Sequence, residues 1–393
     1  MKIKNSSNPP RELSIPTVRD RIAIKSIALT LASVFETPQI SLPQAKIDEA
    51  VQAIDSGKFD SFVRIDVKDF YPSIDHRILF TALKRKTQSN LILKPISDII
   101  SNPTKPDGHS PISRTNTVGV PQGLSISNLL AEIYMDVVDK ALSSRNGVFY
   151  TRYVDDILIL CRSSDIQTVC KEVDDELLKV ALYSHPMDPG SKSNVGFIKD
   201  GFDYLGYYLS SAIISVRPAS RYRVESSISR AFTRYKYATR DSSATAHARS
   251  VGSNKEQQRL FWYLNLIVSG CIYDKARHGW MHYYSMVSDQ TLLKQLDLQV
   301  TKQLKKNKLG NTQIPKSFLK THWLLKHPNR RQQNYIINFD TFDDNQKRDV
   351  LNNIYDYPIH KTASWSHDKI EAVFASKIKR LAAELERDIG SLS

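Results

Sequence analysis

The chain has 393 residues, 41% of them hydrophobic, which is enough for folded cores, and it carries 55 Lys and Arg against 41 Asp and Glu. The net charge of +14 and the pI near 9.4 favour an anionic partner such as nucleic acid. No apolar run approaches about 18 residues, residues 1–10 lack the apolar core of a signal peptide, and the 3 cysteines show no disulfide or metal spacing. We therefore expect a cytoplasmic protein that does not enter a membrane.

The first strand signal carries a charge at every second position. Val63, Ile65 and Val67 alternate with Arg64, Asp66 and Lys68, which predicts a strand with one apolar face. Asp66 lies between two cations on the other face, so we expect it to point away from the core. An ordinary surface strand with solvated charges is the alternative. Helical spacing surrounds this strand at 24–35, 44–54 and 75–83.

Glycine and proline in the segment 119–123 predict a loop that leads into a helix. Ser127 or Asn128 can cap that helix, which has apolar residues on one face from Leu130 to Ala141. A glycine-rich loop at a helix N-terminus suits contact with a nucleotide or a phosphate. Taken alone, such a segment is more often only a connection.

Two adjacent carboxylates, Asp155 and Asp156, lie at a predicted β-hairpin bend. The preceding segment 148–153 is rich in aromatic and β-branched residues, and 157–160 is wholly apolar, so both flanks read as strands. Neighbouring acids at a bend are costly unless a cation separates them, and a divalent metal ion is the obvious candidate. Plain turn chemistry is the alternative, because Asp is a common turn residue.

The excess of positive charge is concentrated after residue 216. There the cations interleave with tyrosine and phenylalanine, a mixture suited to phosphate contact and base stacking, although a solvated helix face is the alternative. The expected nucleic-acid contacts are Arg217, Arg221, Arg223, Arg230, Arg234 and Lys236. Small residues predict a linker at 241–254, and helical spacing resumes from Lys255 and ends with a helix over 368–389.

Together and in this order, these segments resemble the palm motifs of reverse transcriptases. The strand with Asp66 is similar to the first motif, Pro121-Gln122-Gly123 to the second, and Tyr153-Val154-Asp155-Asp156 to the third. Outside them, 11–22 resembles a fingers segment, 189–192 the fourth motif with its lysine, and 204–208 the primer-grip hairpin.

The resemblance implies an α+β right-hand polymerase. Its expected parts are fingers at 1–62, a split βαβ palm with inserted fingers elements at 63–215, a mainly helical basic thumb at 216–310 and a helical C-terminal extension at 311–393. It also implies RNA-directed DNA polymerase activity with two Mg²⁺ ions, for which Mn²⁺ is a possible substitute.

The resemblance assigns roles residue by residue. Asp66 and Asp155 would bridge the two metals, Asp156 would support them, and the Val67 carbonyl would complete the nucleotide-side site. Lys192 would protonate the departing pyrophosphate. The expected dNTP contacts are Arg11 as a triphosphate clamp, backbone N–H groups of Asp69 and Phe70, Tyr71 beneath the sugar as a barrier to a 2′-hydroxyl, and Gln122 with Gly123 at the nascent base pair.

The segments 265–273 and 279–286 and the sequence Ser125-Ile126-Ser127-Asn128 resemble the bacterial unknown-group reverse transcriptases, many of which act in antiphage defence. The partners implied are dNTPs, a DNA product and a structured noncoding RNA that serves as template, scaffold or both. A retron-type enzyme, a template-independent DNA polymerase and a catalytically silent RNA-binding scaffold are the alternatives. Priming mode and oligomeric state stay open.

Overall fold

The computed structural model describes residues 13–35, 42–102, 115–188, 190–239, 246–309, 313–330, 335–387 and 389, with the backbone alone at 246–253 and 330. The chain divides into two compact units, 1–202 and 203–392. This division falls inside the range predicted for the palm, and the four predicted domain ranges stay predictions.

The first unit is built on a four-stranded antiparallel sheet with the order β2-β3-β1-β4. Its centre is the pairing of β1 with β3, in which Val63 lies opposite Ile159 and Asp66 opposite Asp156. Val63 and Ile65 are fully buried, as the alternation predicts. The strands are β1 (Ser61–Asp66), β2 (Phe149–Tyr153), β3 (Asp156–Cys161) and β4 (Asn194–Phe197).

Helices connect these strands in a βαββαβ order, which is the split βαβ arrangement that the sequence predicted. The helices predicted at 24–35, 44–54 and 75–83 are confirmed. Asp75 caps the one that begins at His76 by accepting the N–H groups of Arg77 and Ile78. The helices of this unit are α1 (Val18–Phe35), α2 (Pro43–Asp55), α3 (Phe70–Ser73), α4 (His76–Lys84), α5 (Asn90–Ser101), α6 (Ser127–Ser143) and α7 (Ile166–Lys179).

The second unit is mainly helical and contains two small sheets. Its strands, the first of which begins at the last residue of the first unit, are β5 (Phe202–Tyr204), β6 (Tyr207–Leu209), β7 (Ile214–Val216), β8 (Cys271–Tyr273), β9 (Ala276–His278) and β10 (Ile337–Asn338). Its helices are α8 (Pro218–Ala238), α9 (Ala246–Ser269), α10 (Trp280–Tyr283), α11 (Gln290–Lys306), α12 (Phe318–Lys326), α13 (Asp344–Asn353), α14 (Ile359–Ala363) and α15 (His367–Glu386). None of the helices within the described ranges is long and apolar enough to cross a membrane.

Two expectations for this unit were wrong. The linker predicted at 241–254 is helical from Ala246, because α9 extends through the small residues into the apolar segment that follows. The hairpin of β8 and β9 interrupts the region predicted to be helical. The sequence does not reveal it, because strands of 3 residues are too short to show a period in hydrophobicity. The predicted last helix is confirmed as α15.

Two glycines touch where this hairpin meets α9 and α10. Gly270 has φ +64, and a Cβ built on it would lie 2.2 Å from the His278 carbonyl oxygen. A Cβ on Gly279, whose φ is +117, would lie 2.8 Å from the Gly270 Cα. Both positions therefore require glycine for the backbone angle and for the close approach.

Gly270→Ala is predicted to lower the melting temperature of the protein strongly, because it adds a backbone clash to the cost of left-handed backbone. Gly57→Ala is the matched control, since Gly57 has φ +66 but meets nothing within 4 Å. We expect a cost of about 1–2 kcal/mol for the control and clearly more for Gly270→Ala. Calorimetry of both variants provides the measurement, and equal shifts in the two would contradict the steric argument.

Candidate active site

The two adjacent acids lie at a tight hairpin bend, as the sequence predicted. Tyr153 pairs with Asp156, so Val154 and Asp155 form a two-residue turn between β2 and β3. Val154 has φ +59, a left-handed angle at which a β-branched residue is strained. Strain of this kind persists only where surrounding contacts hold the backbone in place.

Arg152 provides such a contact from beneath the bend. Its guanidinium is buried, and Nη1 donates to the Val154 carbonyl oxygen at 2.8 Å. The same group forms ion pairs with Glu132 at 2.8 Å and Asp139 at 2.6 Å, both on α6. The strained turn is therefore anchored to a helix of the same unit.

Asp66 ends β1 on the polar face, and its side chain is only 3% exposed. Its Oδ1 lies 3.2 Å from Lys192 Nζ and 3.4 Å from His185 Nε2. Its backbone N–H donates to Ser193 Oγ at 3.1 Å. The carboxylate avoids the apolar core, as predicted, but the lysine and the histidine cover it from solvent.

The backbone brings Asp155 beside Asp66. The Val67 N–H donates to the Asp155 carbonyl oxygen at 3.0 Å, which continues the pairing of β1 with the hairpin. Asp155 is partly exposed. Two carboxylates and the adjacent Val67 carbonyl thus supply hard oxygen donors of the kind that Mg²⁺ prefers.

A cation fits beside these donors, since the Lys192 ammonium already contacts Asp66. Among the described residues, no group of three or more His, Cys, Asp or Glu side chains is arranged to hold a metal ion. The third predicted carboxylate does not complete such a group, because it is engaged elsewhere.

That third carboxylate, Asp156, is fully buried in an ion pair with Arg64. Arg64 Nε donates to Oδ1 at 2.8 Å and Nη2 donates to Oδ2 at 2.7 Å, so the contact is bidentate. Both arginine and acid lie on the polar face of the sheet that also carries Asp66. The Asp156 carboxylate is thus occupied by an arginine, whereas Asp155 is partly exposed and Asp66 is covered by Lys192 and His185.

The loop predicted to contact substrate lies against Tyr71. The Val120 N–H donates to the Tyr71 carbonyl oxygen, and the Ser14 N–H donates to the Gln122 carbonyl oxygen, both at 2.8 Å. A Cβ on Gly123 would lie 3.2 Å from the Ser14 carbonyl oxygen. The loop therefore packs closely between the first described residues and α3.

The expected cap of α6 was wrong. Ile126 occupies the N-cap without a side-chain hydrogen bond. Ser127 Oγ donates instead to the Pro121 carbonyl oxygen at 2.5 Å, and Asn128 Oδ1 accepts the Tyr71 hydroxyl at 2.6 Å. The two polar side chains hold the loop and the tyrosine rather than the helix end.

The remaining predicted substrate contacts lie in different settings. Asp69 has left-handed backbone, with φ 45, and precedes the short helix α3. Phe70 is buried, 3% exposed, and its ring packs against Tyr71 with centroids 5.3 Å apart. Arg11 lies outside the described residues.

The predicted nucleic-acid contacts lie on α8 or immediately before it, in the second unit, and several already have protein partners. Arg221 pairs with Glu225 at 2.8 Å, and Arg223 donates to the Ile389 carbonyl oxygen at 3.3 Å. Arg234 lies 3.9 Å from Glu384 and 5.0 Å from the centre of the Tyr263 ring. Arg234 therefore already has an acid of α15 beside it.

The other three members of this set are distributed along the same stretch. Arg217 Nε donates to Ser220 Oγ at 3.3 Å, and Arg230 donates to Ser227 Oγ. Lys236 is exposed near the end of α8. This lysine therefore has the solvent access that a phosphate contact requires.

Sequence reasoning missed His185 and Ser193, which touch Asp66, and Glu132, which holds Arg152. No spacing marks the first two, since they belong to irregular backbone beside β1 and become neighbours of Asp66 only in the folded sheet. The position of Arg64 could have been predicted, because residues two positions apart in a strand lie on the same face, and Arg64 therefore shares the face of Asp66.

The reverse transcriptase (RNA-dependent DNA polymerase) family matches residues 3–209 of the chain. Protein YkfC of Escherichia coli (strain K12) is 24% identical over 271 residues, which covers 56% of this chain and 67% of YkfC.

Two telomerases are among the similar solved structures. Telomerase from Candida albicans in complex with a TWJ fragment of telomeric RNA is 13% identical, with a TM-score of 0.37, over 76% of this chain and 53% of the telomerase chain. Apo telomerase from Candida Tropicalis is 13% identical, with a TM-score of 0.38, over 78% and 56%. The chain thus spans about half the length of these telomerases.

The family match covers more than half of the 393 residues and contains the whole four-stranded sheet, the loop 119–123 and the hairpin with its two acids. The predicted family is thereby confirmed, and the helices and sheets of the structure agree with the predicted α+β class. The chain belongs to the reverse transcriptase (RNA-dependent DNA polymerase) family.

Proposed function

We propose that the enzyme adds dNTPs to a primer hydroxyl with Mg²⁺, or Mn²⁺ in its place, held by Asp66, Asp155 and the Val67 carbonyl. The observation that carries this proposal is the pairing of β1 with the hairpin, which brings the backbone of Asp155 to the end of β1 that carries Asp66. Two such ions, when bound, stabilise the attacking and leaving oxygens of the transfer.

The protein's own groups have separate tasks in this proposal. Lys192 is half-exposed and holds its ammonium 3.2 Å from Asp66, so it can carry a proton from Nζ to the departing pyrophosphate. Tyr71 limits the space beside the sugar, and Gln122 with Gly123 contacts the nascent base pair. Arg11 and the backbone N–H groups of Asp69 and Phe70 bind the triphosphate.

Asp155→Asn is predicted to lower dNTP incorporation on a primed RNA template about a hundredfold or more, because it removes a charge at the metal edge. Asp156→Asn is predicted to lower incorporation less and to reduce stability more, because it removes the buried negative charge that pairs with Arg64. Primer extension and thermal unfolding measure the two effects. Asp98→Asn, at an exposed position on α5, is the control.

Wild-type activity should also disappear when EDTA removes divalent ions and return when Mg²⁺ is added. Equal dNTP incorporation by wild type and Asp155→Asn would contradict the catalytic role proposed for Asp155. A larger catalytic loss in Asp156→Asn than in Asp155→Asn would instead reverse the roles given to the two acids.

The nucleic-acid partner proposed is a structured noncoding RNA, used as template, scaffold or both, with DNA as the product. The net charge of +14 and the cations of α8 support it, since cations that neutralise phosphates release bound counterions. Tyr222 is 71% exposed on the same helix, where it offers a stacking surface for an unpaired base.

Lys236→Gln is predicted to weaken RNA binding and to reduce the slope of log affinity against log salt concentration by about 0.7 to 0.9, the effect of one lost phosphate contact. Lys140→Gln is the matched control, since Lys140 is exposed but lies on α6 and pairs with Asp136 at 2.7 Å. Filter binding at several salt concentrations gives the slope. An unchanged slope in Lys236→Gln would remove α8 from the interface.

The role proposed in the cell is antiphage defence, which rests on the resemblance of residues 265–273, 279–286 and 125–128 to the unknown-group enzymes. Cells that express the wild-type protein should plate phage less efficiently than cells that express Asp155→Asn. Equal plating across a phage panel would contradict this role and leave the polymerase assignment intact. Sequencing of co-purified nucleic acid would distinguish a templated product from the retron-type and template-independent alternatives.

A further inference from the structure

One hydrogen bond ties Tyr71 to the helix that follows the substrate loop. The Tyr71 hydroxyl donates to Asn128 Oδ1 at 2.6 Å, across 57 positions of sequence. Asn128 lies in the first turn of α6 and is exposed, so neither core packing nor helix capping accounts for its side chain. The contact of its side chain is the hydrogen bond from the Tyr71 hydroxyl.

Other contacts fix the main chain of Tyr71. Its carbonyl oxygen accepts the Val120 N–H, and the next turn of the chain is held by the Gly119 N–H, which donates to the Ile74 carbonyl oxygen. The ring leans on Phe70 at an interplanar angle of 60°. None of these contacts involves the hydroxyl, so the bond to Asn128 is what sets the far end of the ring.

The hydroxyl remains a donor at neutral pH. Burial raises the pKa of Tyr71, and the negative charge of Asp155 raises it further, since both disfavour a phenolate. A neutral phenol matches the amide oxygen of Asn128, which can only accept.

We propose that Asn128 is a specificity-determining residue, which holds the Tyr71 ring where it excludes a ribose 2′-hydroxyl. Asn128 acts through the tyrosine and is a positioning residue for nucleotide selection. The proposal rests on the proposed function, because it assumes that the sugar of the incoming nucleotide lies against Tyr71. To the proposed barrier formed by the Tyr71 ring, we add Asn128 as the residue that keeps the ring in one orientation.

The test compares kcat/KM for a dNTP and the matching rNTP on one primed template in Mg²⁺. Asn128→Ala and Tyr71→Phe each remove the same bond, and each should lower the preference for dNTP about three- to tenfold, the effect of a single neutral hydrogen bond. The double variant should lose no more than either single one. The loss should come from a lower KM for the rNTP, with kcat for the dNTP nearly unchanged.

Two further variants make the outcomes distinguishable. Tyr71→Ala should lower the preference more than the other variants, because the ring itself is gone, and Asn90→Ala, at an exposed position on α5, should leave it unchanged. Wild-type selectivity in Asn128→Ala combined with lost selectivity in Tyr71→Ala would overturn the role of Asn128 and leave the proposed function standing. Additive losses in the double variant would also overturn it. Unchanged selectivity in Tyr71→Ala would overturn this inference and the gate assigned to Tyr71 together.

Discussion

The register of β1 against β3 is the constraint on which the active site depends. It places Asp66 opposite Asp156, so the bend that follows brings Asp155 to the end of β1. A slip by one residue would exchange the two faces of β1, because side chains alternate along a strand. Val63 and Ile65 would then leave the core, so the same apolar burial that stabilises the sheet also aligns the acids.

Two arginines stabilise the negative charges and the strained backbone that this alignment brings together. Several carboxylates approach one sheet edge, and buried charges without partners are costly. Arg64 neutralises Asp156 from within the sheet, while Arg152 engages α6 and the carbonyl of the strained Val154. Lysine could not replace either, because each contact uses the planar fork of a guanidinium. In the proposed function, Asp66 and Asp155 are the acids that hold the metal ions.

The sequence predicted the elements of this site better than its contacts. Alternation along β1, the apolar run of β3 and the acids between two strands are local patterns, and local patterns specify strands and bends. The partner of Arg64 lies 92 positions away, and nothing in either segment marks the pairing. Asn128 shows the same limit, because its residue type suits a cap and only the fold brings Tyr71 within reach. His185 carried no signal at all.

The hairpin that carries Asp155 is formed by β2 and β3, and β3 is an interior strand of its sheet. Interior strands open to solvent only in the rarest fluctuations, whereas loops and exposed side chains rearrange on much shorter timescales. The acids should therefore belong to the slowest-exchanging part of the first unit. In the proposed function, adjustment to each new nucleotide then falls to the half-exposed Lys192 and the loop around Gln122, while the hairpin itself keeps its position.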